Sequence, residues 1–171
     1  LEYSMIGSSG FVLLTGEVGT GKTTLTRFLI EQLPENVEVA LIFNPKLSAV
    51  ELIASICDEL QISYETNATP KALFDALNNY LLKAHSQGQT TVLILDEAQN
   101  LSIELLEQIR LLSNLETSTK KLLQIVLVGQ PELLSLIARQ ELRQFSQRIS
   151  TRYHISKLNY DETEQYIRHR I

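Results

Sequence analysis

Apolar residues fall into two rhythms along the chain. Short, nearly continuous runs stand at "FVLLT" (11–15), "VEVALIFN" (37–44), "TVLILD" (91–96) and "LQIVLVG" (123–129), with a weaker one near 149–155 in "STRYHISKL". Runs of this length suit strands buried on both faces of a parallel sheet. Between them, apolar positions recur at helical spacing. One helical pattern runs from Lys22 to about Leu33, with Pro34 just beyond. Another covers Ala49 to Leu60, where Ser48 followed by Glu51 has the signature of a capping box. A third starts at Pro70 and puts Leu73, Phe74, Leu77, Tyr80, Leu81 and Ala84 on one face. A fourth, from Ser102 to about Leu115, turns Leu105, Leu106, Ile109 and Leu112 inward. Strand alternating with helix predicts a doubly wound α/β fold with right-handed crossovers. In such folds ligands sit at the carboxyl ends of the strands.

The bulk properties narrow this picture. A chain of 171 residues is long enough for one domain with a full core, and 44% hydrophobic with 20% charged residues is ordinary globular composition. The net charge of -5 argues against a dedicated nucleic-acid module, though not against a local basic strip. Cys57 is alone and falls in a helical run, so it reads as a buried structural cysteine. His85, His154 and His169 show no metal-ligand spacing and read as structural. No leader-like segment opens the chain, and no apolar run reaches membrane-span length, so a cytoplasmic domain is expected. The chain opens at Leu1 without methionine and closes at Ile171 inside the helical pattern "NYDETEQYIRHRI". The expectation is a piece of a longer protein: an α/β core over 1–157 and the start of a truncated helical unit over 158–171.

The candidate chemistry gathers where strands end. "LLTGEVGTGKTTL" carries Gly16, Gly21, Lys22 and Thr23 at the spacing of the phosphate-binding loop, G-x-x-x-x-G-K-[ST], between a strand and a helix. Gly16, Glu17, Val18, Gly19, Thr20, Gly21, Lys22, Thr23 and Thr24 are the candidate phosphate contacts. Backbone N–H groups and the helix N-terminus would receive the phosphates of a nucleotide, Lys22 would reach the β and γ groups, and Thr23 would meet Mg²⁺. "TVLILDEAQN" ends a strand in two carboxylates. Asp96 would hold Mg²⁺ through water, and Glu97 suits the general base that polarises an attacking water. The plainer alternative is an acidic cap on the following turn. Gln130 in "LVGQPEL" could contact the γ-phosphate or the water, or be a turn amide before Pro131. Asn44 in "IFNPKLS" could lie near Glu97 if its strand neighbours the acidic one, or be an ordinary Asn-Pro turn. Arg148, between Arg143 and Arg152 in "LRQFSQRISTR", could reach out to a neighbouring subunit's nucleotide or be a solvated arginine.

Together these stretches resemble the AAA+ ATPases. The nearest likeness is to the secretion-pathway family of the type A general secretion pathway protein and the mannose-sensitive-haemagglutinin pilus biogenesis ATPases. "LILDEAQNLS", "IRLLSNLET", "LLQIVLVGQPEL" and "ELRQFSQRI" carry the specific part of it, and the phosphate loop the generic part. The resemblance implies a five-stranded sheet of order 5-1-4-3-2, ATP with Mg²⁺, and self-association into a ring or filament. It implies Walker A roles for Lys22 and Thr23 and Walker B roles for Asp96 and Glu97. Gln130 would be sensor 1, Asn44 the partner of the Walker B glutamate, and Arg148 the arginine finger. It also implies a helical lid beyond the core and, in the whole protein, an inner-membrane segment and a secretion or pilus assembly partner. A DNA-associated regulator similar to the transposition and initiator ATPases is the alternative. Its sign is the pair of helical patterns, 48–60 and 70–86, between the second and third strands. A nucleotide switch without hydrolysis is a third reading, disfavoured by the intact Asp96 and Glu97.

Overall fold

The computed structural model describes residues 10–43, 46–118 and 120–156. Five strands form one sheet: β1 (Phe11–Gly16), β2 (Val37–Ile42), β3 (Thr90–Leu95), β4 (Leu123–Gly129) and β5 (Ile149–Ile155). All pairings are parallel, and the order β2-β3-β4-β1-β5 is the expected one read from the other edge. The connecting helices are α1 (Lys22–Glu31), α2 (Ala49–Glu59), α3 (Pro70–Ser86), α4 (Ile103–Leu112), α5 (Glu132–Ile137) and the single turn α6 (Arg143–Ser146).

The near-continuous apolar strands have a simple cause. Side chains alternate between faces along a strand, and here both faces are covered. Phe11, Leu13, Leu93, Leu95, Ile125 and Leu127 point into a large core completed by Leu52 and Ile56 of α2, Leu77 of α3, Leu106 and Ile109 of α4, and Phe145 of α6. Val12, Leu14, Val92, Ile94, Val126 and Val128 point the other way, onto Leu29 of α1. The rings of Phe11 and Phe145 stack with centroids 4.4 Å apart, which pins α6 and the start of β5 to β1. Helix starts follow their caps. Ser48 and Glu51 make the reciprocal capping box on α2, and Thr69 caps α3, with Pro70 in the first turn. Cys57 is fully buried, and burial pushes its thiol up to about 11.

The structure refines some element ends. β2 stops at Ile42, and Phe43 is exposed with the Arg27 guanidinium 5.8 Å from its ring centroid. α4 stops at Leu112. Leu115 is buried as expected of an inward residue, but its carbonyl accepts from Leu122 N at 2.9 Å beside an antiparallel bridge between Glu116 and Lys121. A buried leucine three residues past a helix end keeps the helical rhythm while the backbone has already left it. The two helices between β2 and β3 are both present as α2 and α3. Among the described residues, no helix is long and apolar enough to cross a membrane. Asn44, His169 and the expected start of a lid at 158–171 lie outside the described residues.

Candidate functional site

β1 delivers the chain at Gly16, and α1 leaves at Lys22. The loop between them needs its glycines for two different reasons. Gly19 and Gly21 have φ of 78° and 80°, a conformation that strains any side chain. At Gly16 the limit is space, since a Cβ would come within 2.8 Å of both Ile155 O and Thr20 Oγ1. Thr20 closes the loop by donating from Oγ1 to Glu17 O at 2.8 Å. Gly21 is the N-cap of α1 and brings no side-chain acceptor. The first-turn N–H groups and the positive end of the helix dipole therefore face the loop, as an anion site requires.

Lys22 is buried, only 7% exposed, and its Nζ donates to Gly16 O at 2.7 Å and Glu17 O at 2.8 Å. Two neutral carbonyls take two of its three N–H donors and leave its charge unbalanced, so the loop holds a standing attraction for an anion. Thr23 Oγ1 donates to Asp96 Oδ2 at 3.0 Å. This contact joins the phosphate loop to the acidic strand across β4, which lies between β1 and β3. Asp96 is 2% exposed, and its Oδ1 accepts from Glu97 N at 2.8 Å. A buried carboxylate with a hydroxyl beside it matches what Mg²⁺ asks of a protein: one or two hard oxygens, with water and phosphate completing the shell. Among the described residues no group of three or more His, Cys, Asp or Glu could hold a metal ion. Asp96 and the Thr23 hydroxyl place two hard oxygen donors side by side.

Glu97 follows with φ 56° and ψ 37°, left-handed for a residue with a side chain. That conformation costs roughly 1–2 kcal/mol, and such residues gather at functional sites. The Glu97 carboxylate accepts from Gln130 Nε2 at 3.5 Å. Lys22, Thr23, Asp96, Glu97 and Gln130 thus converge at the carboxyl edge of β1, β3 and β4. One member of the cluster was not anticipated. Gln99, in the 3-10 turn Ala98–Asn100, donates from Nε2 to Glu97 Oε2 and accepts at Oε1 from Gln130 N at 3.0 Å. Its only trace in the sequence is its place two residues after the paired acids.

Other expected residues lie elsewhere. Arg148 stands before β5, at the amino edge of the sheet. Its carbonyl accepts from Phe11 N at 2.9 Å. Its Nη1 donates to Ser113 Oγ at 2.8 Å, Asn114 Oδ1 at 2.5 Å and, more weakly, Arg110 O at 3.5 Å. Arg143 is exposed, and Arg152 reaches Ser146 Oγ at 3.3 Å. His154 Nδ1 meets Thr15 Oγ1 at 3.1 Å, a tie between β5 and β1.

Comparison with known proteins bears on the family and the fold. The chain is 50% identical over 171 residues to General secretion pathway protein A of Aeromonas hydrophila, covering all of this chain and 31% of that protein. It therefore spans about a third of the curated relative. Among solved structures, the Aeropyrum pernix ORC2 protein in its ADPNP-ADP complexes is similar, with a TM-score of 0.77 and 19% identity over 98% of this chain and 47% of that one. Cdc6p from Pyrobaculum aerophilum has a TM-score of 0.74 and 20% identity over 98% of this chain and 45% of that one. At those identities the likeness concerns the fold alone. A family profile described as AAA domain matches residues 6–137, and since this is most of the chain, loop and acidic strand included, the chain belongs to the AAA domain family.

Proposed function

We propose that the chain is the ATP-binding and ATP-hydrolysing part of a secretion or pilus assembly ATPase. The observation that carries this reading is the 3.0 Å bond from Thr23 Oγ1 to Asp96 Oδ2 with Glu97 next in line. It unites a phosphate loop, a cation site and a candidate base in one place. In this reading the loop N–H groups and Lys22 bind and orient the phosphates. Thr23 and Asp96 would hold Mg²⁺, which when bound supplies charge neutralisation for the phosphate oxygens. Glu97 takes a proton from the attacking water, and Gln130 orients that water or the terminal phosphate. The secretion assignment rests on the 50% identity to General secretion pathway protein A. In the whole protein it brings with it an assembly partner, an inner-membrane attachment and self-association. The DNA-associated reading draws on the helix pair α2 and α3 between β2 and β3 and on fold likenesses of 18% identity or less to DNA-bound ORC proteins, so it stands behind.

Glu97→Gln tests the reading. The change keeps shape and hydrogen bonding but removes the base. ATP should bind as tightly as before, while phosphate release falls by about 10²–10⁴-fold, the usual contribution of a general base. Release near the wild-type rate would remove Glu97 from the role.

A further inference from the structure

We propose that Gln99 is a positioning residue: it fixes the carboxylate of Glu97 and ties it to the tip of β4, where Gln130 emerges. The inference rests on the reading of Glu97 as the base.

Three observations carry it. First, both ends of the Gln99 amide are used, and in only one sense. The NH2 group donates to Glu97 Oε2, while the carbonyl accepts from the backbone N–H of Gln130 at 3.0 Å. Turning the amide over would set a carbonyl against a carboxylate and an NH2 group against an N–H, so the two partners together dictate its orientation. Second, Gln130 Nε2 reaches the same Glu97 Oε2 at 3.5 Å. Two donors on one oxygen set the plane of the carboxylate and aim its other oxygen. Glu97, Gln99 and Gln130 form a closed triangle in which β4 senses where Glu97 points. Third, the chain makes room for this amide. A Cβ on Gly129 would lie 2.8 Å from Gln99 Oε1 and 2.9 Å from Leu133 Cδ2. The turn that carries Gln99 is itself anchored, because Ala98 is fully buried. A rigid turn, a fully engaged amide and a glycine opposite it are what positioning a base requires.

A structural hydrogen bond would affect stability alone, whereas a positioning residue affects turnover of bound ATP. The test uses two variants that leave Lys22, Thr23, Asp96, Glu97 and Gln130 in place. Gln99→Met keeps the length of the side chain and removes both bonds. Gly129→Ala keeps Gln99 and pushes on its carbonyl end. Steady-state ATP hydrolysis is measured for the purified protein and both variants below their melting transitions, with ATP affinity measured separately. The expected result for Gln99→Met is a kcat about 10²-fold lower, the scale of a misplaced catalytic group. KM and ATP affinity should stay within about threefold, since binding groups are untouched. Gly129→Ala should lose about tenfold in kcat by the same route. Wild-type kcat in both variants, or a fall that merely follows lost ATP affinity, overturns the inference. If Gln99→Met does not fold, Gly129→Ala alone decides by the same criteria. Glu97→Gln, run alongside, separates the two levels. An inactive Glu97→Gln beside fully active Gln99→Met and Gly129→Ala sinks only the role of Gln99. An active Glu97→Gln, or a wild type without hydrolysis, removes the base reading and this inference together.

Discussion

Lys22 shows how one residue can be fixed by spacing and still be read for its physics. Its place after Gly21 follows from the loop pattern, and its burial on two loop carbonyls follows from the strand-to-helix turn. Nothing in the apolar core depends on its ammonium. Lys22→Ala should therefore remove tight ATP binding while leaving the melting temperature nearly unchanged, because its ammonium meets loop carbonyls and, in the proposed role, phosphate charge, rather than core packing. Calorimetric titration with ATP checks this, and wild-type affinity would remove the loop from the site. Asp96 and Glu97 were legible in the same way, as carboxylates at the end of an apolar run. Gln99 was not. Its partners are its neighbour Glu97 and the backbone of Gln130, and the second is distant in sequence. Only the pairing of β3 with β4 brings that N–H within reach. Gly129, which leaves space for Gln99, carries no sign of that role in the sequence beyond ending an apolar run.

Elements were the most legible level, because their signals are local. The three central strands declared themselves by lacking alternation, which doubly covered sheets produce, whereas the edge strand β5 alternates half-buried and exposed positions and gave the weaker signal. The ends of β2 and α4 escaped, since Phe43 and Leu115 keep an apolar rhythm after the backbone has changed course. Caps mark helix starts better because they involve specific bonds. In α2, Glu51 N donates to Ser48 Oγ at 3.3 Å, and Ser48 N donates to Glu51 Oε2 at 2.8 Å. Ser48→Ala should destabilise the protein by about 1 kcal/mol, the usual loss for an N-cap oxygen. The Glu51 arm of the box adds a pH dependence, carried first by the Ser48 backbone N–H, which Ser48→Ala keeps. Hydrogen bonds from the Ser48 backbone and side chain hold the Glu51 carboxyl below its ordinary value. A depressed carboxyl contributes stability above its unfolded pKa and loses it as pH falls through the lower folded value. The gap between wild type and Glu51→Ala, which removes that carboxylate, should thus be widest near neutrality and narrow on acidification below the ordinary glutamate range. Urea melts at several pH values measure it, and a constant gap would mean that the Glu51 arm of the box is idle.

At the scale of the whole molecule, periodicity supplies elements but not neighbours. The sheet order was available only through likeness to a family, and it matters because it sets two rims at opposite ends of the strands. The phosphate loop lies at the carboxyl rim and Arg148 at the amino rim, separated by the six residues of β1. At about 3.3 Å per residue the strand spans roughly 20 Å, so Arg148 cannot serve its own loop. It stands beside an open cleft lined by Gly10, Ser113, Lys121, Gln147 and Ser150. Lys121 pairs with Glu116 and holds its carboxyl low, with Arg148 adding to the same effect. The guanidinium bonds to Ser113 and Asn114 through Nη1, and a planar fork with five N–H groups can hold such an anchor while presenting others outward. If the protein assembles so that this rim meets the next subunit's phosphate loop, Arg148 acts in trans on the transferring phosphoryl group. Such arginines contribute about 10³–10⁵ in rate in other NTPases. Arg148→Ala should then bind ATP normally, and its hydrolysis rate should not rise with protein concentration as the wild-type rate does. Mixing it with Lys22→Ala should restore part of the activity, because one subunit supplies the arginine and the other an intact loop. Co-assembly without recovery, together with a wild-type rate independent of concentration, would leave Arg148 with its other visible task, tying β5 to the end of α4.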